Sequence, residues 1–219
     1  MLDFGYYNME CMEGMKEFPD KFFDLAIVDP PYGIGESGRK NHTRSKRAIS
    51  KEYPAFAGND EKPPDAGYFK ELLRVSKNQI IWGANHFKSM MPYDSHCWIV
   101  WDKDNGNTDF ADCELAWTSF NTAVRKFKYK WQGMLQGDMK NKEGRFHPTQ
   151  KPVALYTWLL NKYAKPGFKI LDTHVGSASS LIACHRMGFQ YVGFELDKTY
   201  YELSTKRIEE EMSQIRFEI

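Results

Sequence analysis

Short apolar runs stopped by turn residues recur along this chain, and between them lie stretches whose apolar positions fall three and four apart. The run LAIV at 25–28 is continuous rather than alternating, as in a strand buried on both faces of a parallel sheet. It sits within a predicted strand 24–29; YYN at 6–8 predicts an earlier one, with a short helix near 11–17 between them. After a long polar stretch, Asp65 can cap a helix over about 66–76, where Tyr68, Phe69, Leu72, Leu73 and Val75 make an apolar stripe. QIIWG at 79–83 follows as a strand. HCWIVWDK at 96–103 and CELAWTSF at 113–120 read as two strands, and AVRKFKYKW at 123–131 alternates as a third with one basic face. These three predict an antiparallel section. Helix 152–164, strand 169–173, helix 178–187, strand 191–196 and helix 198–213 complete the chain. Strands alternating with helices predict an α/β fold with a doubly wound, mostly parallel sheet, and the absence of an internal repeat predicts one domain over 1–219.

Composition narrows the class. With 219 residues, 42% hydrophobic and 15% aromatic, the chain can bury a substantial core. No apolar run approaches the roughly 20 residues that cross a bilayer, and the opening MLDFGYYNMECMEG lacks signal-peptide character, so a cytoplasmic protein without a membrane partner is expected. Cys11, Cys97, Cys113 and Cys184 form no CxxC pair and have no histidines at zinc-ligand spacing, so neither a disulfide framework nor a metal site is expected. The net charge of +1 hides an uneven division. Residues 36–51 hold six Lys/Arg against one Glu, and residues 121–146 hold seven against two acids, leaving the remainder at −9. Two basic segments on an acidic body suit a polyanionic partner, although solvated loops would read the same way.

Two constellations carry chemistry. Pro30 and Pro31 stop the strand at 24–29, because each lacks an amide proton and fixes its own φ, which leaves Asp29 at the carboxyl end of a central strand. Open α/β sheets bind ligands there. In KILDTHVGSASSLIACHRMGFQYVGFELD at 169–197, a strand ends at Asp172, a turn of small residues (Gly176, Ser177, Ala178, Ser179) opens a helix, and Glu195 ends a second strand 23 residues on. This is the layout of a nucleotide-binding βαβ unit, but without GxGxxG to cradle a pyrophosphate. A nucleoside without phosphates, such as S-adenosylmethionine, suits it better than NAD.

DPPY at 29–32, HPTQKP at 147–152 and DTHVGSASS at 172–180, in that order, resemble the amino-group DNA methyltransferases of the permuted beta arrangement, in small forms often carried by phages. The resemblance runs from YYNMECMEGM to KTYYELSTKRI, weakest over 36–64 and 121–146. It implies a seven-stranded, Rossmann-like methyltransferase sheet, S-adenosylmethionine as cofactor, and methylation of a flipped adenine at N6, as in restriction-modification. An adenine amine is a poor nucleophile because its lone pair is delocalised into the ring. The Asp29 carboxylate and the Pro30 carbonyl would accept its two N–H groups, Pro31 would stiffen the turn and Tyr32 would stack on the base. The resemblance further implies that Asp29, Asp172, Thr173, His174, Gly176 and Ser177 line the cofactor's methionine part. Glu195 and Leu196 would meet its ribose, Glu10 and Cys11 its adenine, and Thr149 and Lys151 its carboxylate.

There are departures. Thr173, His174 and Ala178 stand where the family usually has Pro, Phe and Gly, and Glu10 where an Asp is common. The 121–146 segment is the expected target-recognition element, with Arg125, Lys126, Lys128 and Lys130 facing DNA. Arg39, Lys40, Arg44, Lys46 and Arg47 of the 36–64 loop would contact phosphates. Relatives of this arrangement often dimerise, which leaves a homodimer open. N4-cytosine methylation needs the same acceptors, and a non-catalytic DNA-binding protein that kept the fold is the alternative from another class.

Overall fold

A computed structural model describes residues 1–34, 62–106, 111–132 and 134–213. The basic positions Arg39, Lys40, Arg44, Lys46 and Arg47 lie outside the described residues. The apolar run at 25–28 forms most of β2 (Phe23–Val28), which pairs in parallel with β3 (Ser76–Trp82) on one side and β9 (Lys169–Asp172) on the other. β10 (Gln190–Glu195) and β1 (Gly5–Asn8) continue the parallel set beyond β9. Beyond β3 come β5 (Cys113–Thr118), β4 (Trp98–Asp102) and β6 (Arg125–Lys128), for a sheet order β1-β10-β9-β2-β3-β5-β4-β6.

Successive residues of β2 serve opposite faces, as a strand's period of two requires. Leu25 and Ile27 join the core under α3 (Val153–Tyr163), α4 (Ser179–Arg186) and α5 (Lys198–Ser213), with Ile80, Trp82, Ile99 and Trp101. Ala26 and Val28 join the core under α1 (Cys11–Lys16) and α2 (Ala66–Val75), with Met15, Phe69, Leu72 and Phe194. Helices thus cover both faces, which is the doubly wound arrangement. Asp65 caps α2 as expected, its Oδ1 accepting from the Tyr68 amide at 3.1 Å.

Two expectations are corrected in the section after β3. Among the described residues the main sheet has eight strands, not seven, and the antiparallel character belongs to β5 alone, since β6 runs parallel to β4. The 123–131 stretch is not one strand: after Lys128 the chain leaves the edge and forms a separate hairpin, β7 (Trp131–Gln132) and β8 (Leu135–Gln136). Trp131 is held there by contacts from a distant loop: its indole is buried, with Nε1 donating to the Gln150 carbonyl at 2.8 Å. All four cysteines are free, three of them buried.

Candidate active site

Every strand of the main sheet except β5 points the same way, so the carboxyl ends of β2, β3, β9, β10 and β4 share one edge with the start of β5. That edge collects Asp29, Gly83, Asp172, Glu195, Lys103 and Glu114 from six segments. DPPY is held tightly there. The Tyr32 hydroxyl donates to Asp29 Oδ1 at 2.6 Å, and its ring stacks on His86 with centroids 5.0 Å apart and planes 14° from parallel. Gly83 ends β3 with φ +68, and a Cβ there would stand 2.0 Å from the Tyr32 ring, so the ring lies against bare backbone that only glycine provides.

Lys151 of HPTQKP closes the site from the far half of the chain. Its ammonium pairs with Asp29 Oδ2, and lies 3.1 Å from Glu114 Oε2 and 3.2 Å from the Tyr32 hydroxyl. Lys103 holds the other oxygen of Glu114 at 2.6 Å. Only 3% of the Lys151 side chain is exposed, and the rings of Tyr32 and Trp82 each stand 5.6 Å from its ammonium. Burial works against that charge, but Asp29 and Glu114 outweigh it and raise the Lys151 pKa. Burial also raises Asp29, with Lys151 offsetting part of the effect and Glu114 adding to it. Burial works against the Glu114 charge as well, although its side chain is only partly buried, yet Lys151 and Lys103 hold its carboxyl down at about 2.

The Lys151 ammonium thus meets two protein carboxylates, as a buried cation needs anionic partners within contact. Thr149 pairs its hydroxyl with His147 Nδ1 at 3.2 Å. Tyr32 meets Asp29 through its hydroxyl and His86 through one face of its ring.

The second constellation forms beside the first. Asp172 Oδ1 accepts from the His174 amide at 3.0 Å and Oδ2 accepts from the Ser180 hydroxyl. Burial nevertheless lifts its carboxyl to about 7, the two hydrogen bonds offsetting part of that. Thr173 Oγ1 bonds the Tyr68 hydroxyl at 2.7 Å and His174 Nδ1 at 2.9 Å, and burial drops the His174 imidazole to about 4, so the ring is neutral at pH 7. Glu195 receives the Gly176 amide on one oxygen and the Asp197 amide on the other, both at 2.8 Å. Ala178 adopts φ +62 before α4, where the family's glycine would be unstrained; the side chain costs about 1–2 kcal/mol. Arg207 of α5 ties this turn down, donating to the Ser177 carbonyl at 2.7 Å and to the Ser179 hydroxyl at 3.0 Å. Its other nitrogen reaches Glu143 at 2.7 Å, and Glu143 in turn caps α3 through the Val153 amide. The turn and the 121–146 segment are thereby joined by one guanidinium.

Other predicted positions fall out differently. Glu10 caps α1 through the Glu13 amide at 3.0 Å and accepts from the Cys11 thiol at 3.4 Å, while Leu196 is exposed. Arg125, Lys126 and Lys128 are exposed on β6, but Lys126 pairs with Asp102 and Lys128 with Asp104, so their charge is partly compensated already. Glu114, Lys103, His86, Gly83 and Arg207 are functional neighbours that sequence reasoning missed, since no motif marks them. A lone acid inside the apolar strand pattern CELAW was the one available signal for Glu114.

The residues fit a nucleoside carrying an ammonium. Two buried acids, Asp172 and Glu195, end adjacent strands, and Gly176, with φ +54, gives its amide to Glu195. Among the described residues no cluster of three or more His, Cys, Asp or Glu could hold a metal ion, and no helix is long and apolar enough to cross a membrane.

Comparison with known proteins agrees with this layout. The N6/N4 methyltransferase family model, described as DNA methylase, matches residues 70–206, more than half of the chain. The type II methyltransferase M.HinfI of Haemophilus influenzae is 24% identical, covering 92% of this chain and 67% of its own. M2.MboI of Moraxella bovis, also a type II methyltransferase, is 24% identical, with 95% and 88% covered. Two solved structures share the fold: the M1.HpyAVI–SAM complex (19% identity, TM-score 0.56, 92% and 98% covered) and the cytosine-N4-specific PvuII DNA methyltransferase (12%, 0.61, 94% and 86%).

Proposed function

The chain belongs to the DNA methylase family, and from that premise we propose that it transfers a methyl group from S-adenosylmethionine to the N6 amine of an adenine flipped out of DNA. The observation that carries this is Asp29, a partly buried carboxylate at the end of a central strand, followed by Pro30 and braced by Tyr32. Asp29 and the Pro30 carbonyl accept the two N–H groups of the target amine, which turns its lone pair out of conjugation with the ring. Tyr32 exchanges its bond to Asp29 for a stacking contact with the base. The cofactor supplies a methyl group activated by its sulfonium. As the amine nitrogen bonds the methyl carbon, the methyl–sulfur bond breaks and its electron pair stays on sulfur as a neutral thioether, and the amine sheds one proton to the Asp29 carboxylate, whose raised pKa suits it to hold that proton before solvent takes it. Asp172, Gly176, Ser177 and Glu195 would hold the cofactor.

Adenine is preferred to cytosine because the tetrapeptide opens with Asp, where N4-cytosine members of the family more often carry Ser. The test is transfer of labelled methyl to unmethylated DNA, with the modified base identified by mass spectrometry. N6-methyladenine is expected. N4-methylcytosine would change the base, and no incorporation despite intact cofactor binding would remove DNA as the substrate. Absence of binding at millimolar cofactor would favour a regulatory protein.

A pH dependence follows from Asp172. Its carboxyl holds a proton to about 7 in the folded protein, so binding a cationic amino group below that pH must expel the proton. Affinity for S-adenosylmethionine is expected to rise by up to about tenfold per unit as pH climbs towards 7, then to level off. Calorimetric titrations between about pH 5.5 and about pH 7.5 measure it, and a flat profile would contradict the contact.

A further inference from the structure

Both oxygens of Asp29 are already engaged, one by the Tyr32 hydroxyl and the other by the Lys151 ammonium. A base amine that donates to Asp29 must share the carboxylate with them or displace one. Tyr32 can leave without charge separation, but Lys151 is a buried cation that cannot be left without an anion. Glu114 stands 3.1 Å from the same ammonium and is itself held by Lys103 at 2.6 Å. The four groups sum to zero: two carboxylates and two ammoniums. Methyl transfer passes the sulfonium's positive charge to the amine nitrogen, so an uncompensated lysine beside Asp29 would oppose the transition state.

Resting on the methyl-transfer reading above, we propose that Glu114 is a positioning residue: it draws the Lys151 ammonium off Asp29 as the target amine arrives and keeps the site electrically neutral. Lys151 is then a latch on the acceptor carboxylate, closed by Asp29 and released to Glu114. Glu114 lies on β5, opposite Trp101 in the register, with no motif around it, and its partly buried side chain turns Oε2 out of solvent, which is costly unless that charge is used.

The test compares wild type, Glu114→Gln, Lys151→Met and the double variant. Glu114→Gln keeps the shape and removes the charge, so Lys151 stays on Asp29; kcat is expected to fall about tenfold while KM for S-adenosylmethionine changes by less than about twofold. Removing the latch as well is expected to return at least about threefold of that loss, whereas a purely structural role would make the double variant worse than either single. Thermal melting reads the same contact without turnover: the double variant is expected to melt above Lys151→Met, because removing the Glu114 charge relieves its repulsion of the Asp29 carboxylate. An unchanged kcat in Glu114→Gln, a double variant no faster than Glu114→Gln, or additive melting losses would each overturn the role of Glu114. A wild type that transfers no methyl to DNA would instead overturn the reading on which it rests.

Discussion

Asp29→Ala is expected to lower kcat for methyl transfer by about 10³-fold, the loss typical of removing a preorganised group that acts on the reacting atoms. The carboxylate contributes twice, by accepting an N–H of the amine and by taking the proton that the amine sheds. The substitution should spare the fold, because Lys151 keeps Glu114 as its partner at 3.1 Å and no buried charge is orphaned. Single-turnover transfer with labelled cofactor measures the loss, and thermal melting checks the fold. Activity within tenfold of wild type in a folded variant would mean that Asp29 is not the acceptor.

Lys151→Met is expected to have the larger effect on stability. It leaves Asp29 and Glu114 buried with only Lys103 nearby, and breaking a buried ion pair by removing one partner costs about 3–5 kcal/mol. In a chain of this size that is about 10 °C in Tm. The sign with pH is also determined. Without Lys151 the carboxyl of Asp29, already raised by burial, rises further above its value in the unfolded chain. A group of that kind destabilises above its folded pKa and does so less as pH falls. The deficit relative to wild type is therefore expected to shrink from about pH 7 to about pH 5 in denaturant titrations, and an equal deficit at both would argue against unneutralised carboxylates as its cause.

These two predictions rest on different kinds of knowledge. The position of Asp29 was legible in the chain, because an apolar run broken by two prolines says locally where a strand ends, and the strand's period of two says which residues it buries. The same holds for Asp172 and Glu195, each at the end of its own run, and for Asp65 at the start of α2. The partner of Lys151 was not legible. HPTQKP offered a lysine in a loop, and nothing within several residues of it indicates what its charge meets.

Elements, their order and the two turns that bear acids were determined by the sequence itself, because each depends on neighbours within a few positions: proline geometry, apolar period, capping side chains. Only the tertiary structure decided that Lys151 joins Asp29 across 122 residues, that Glu114 enters the site from the one reversed strand, and that Arg207 bridges the 177–179 turn to Glu143. Those contacts follow from strand order and crossover, which bring distant segments to one sheet edge. Buried charge then selects its partner by what lies within a few ångströms, and no local pattern in the chain carries that distance.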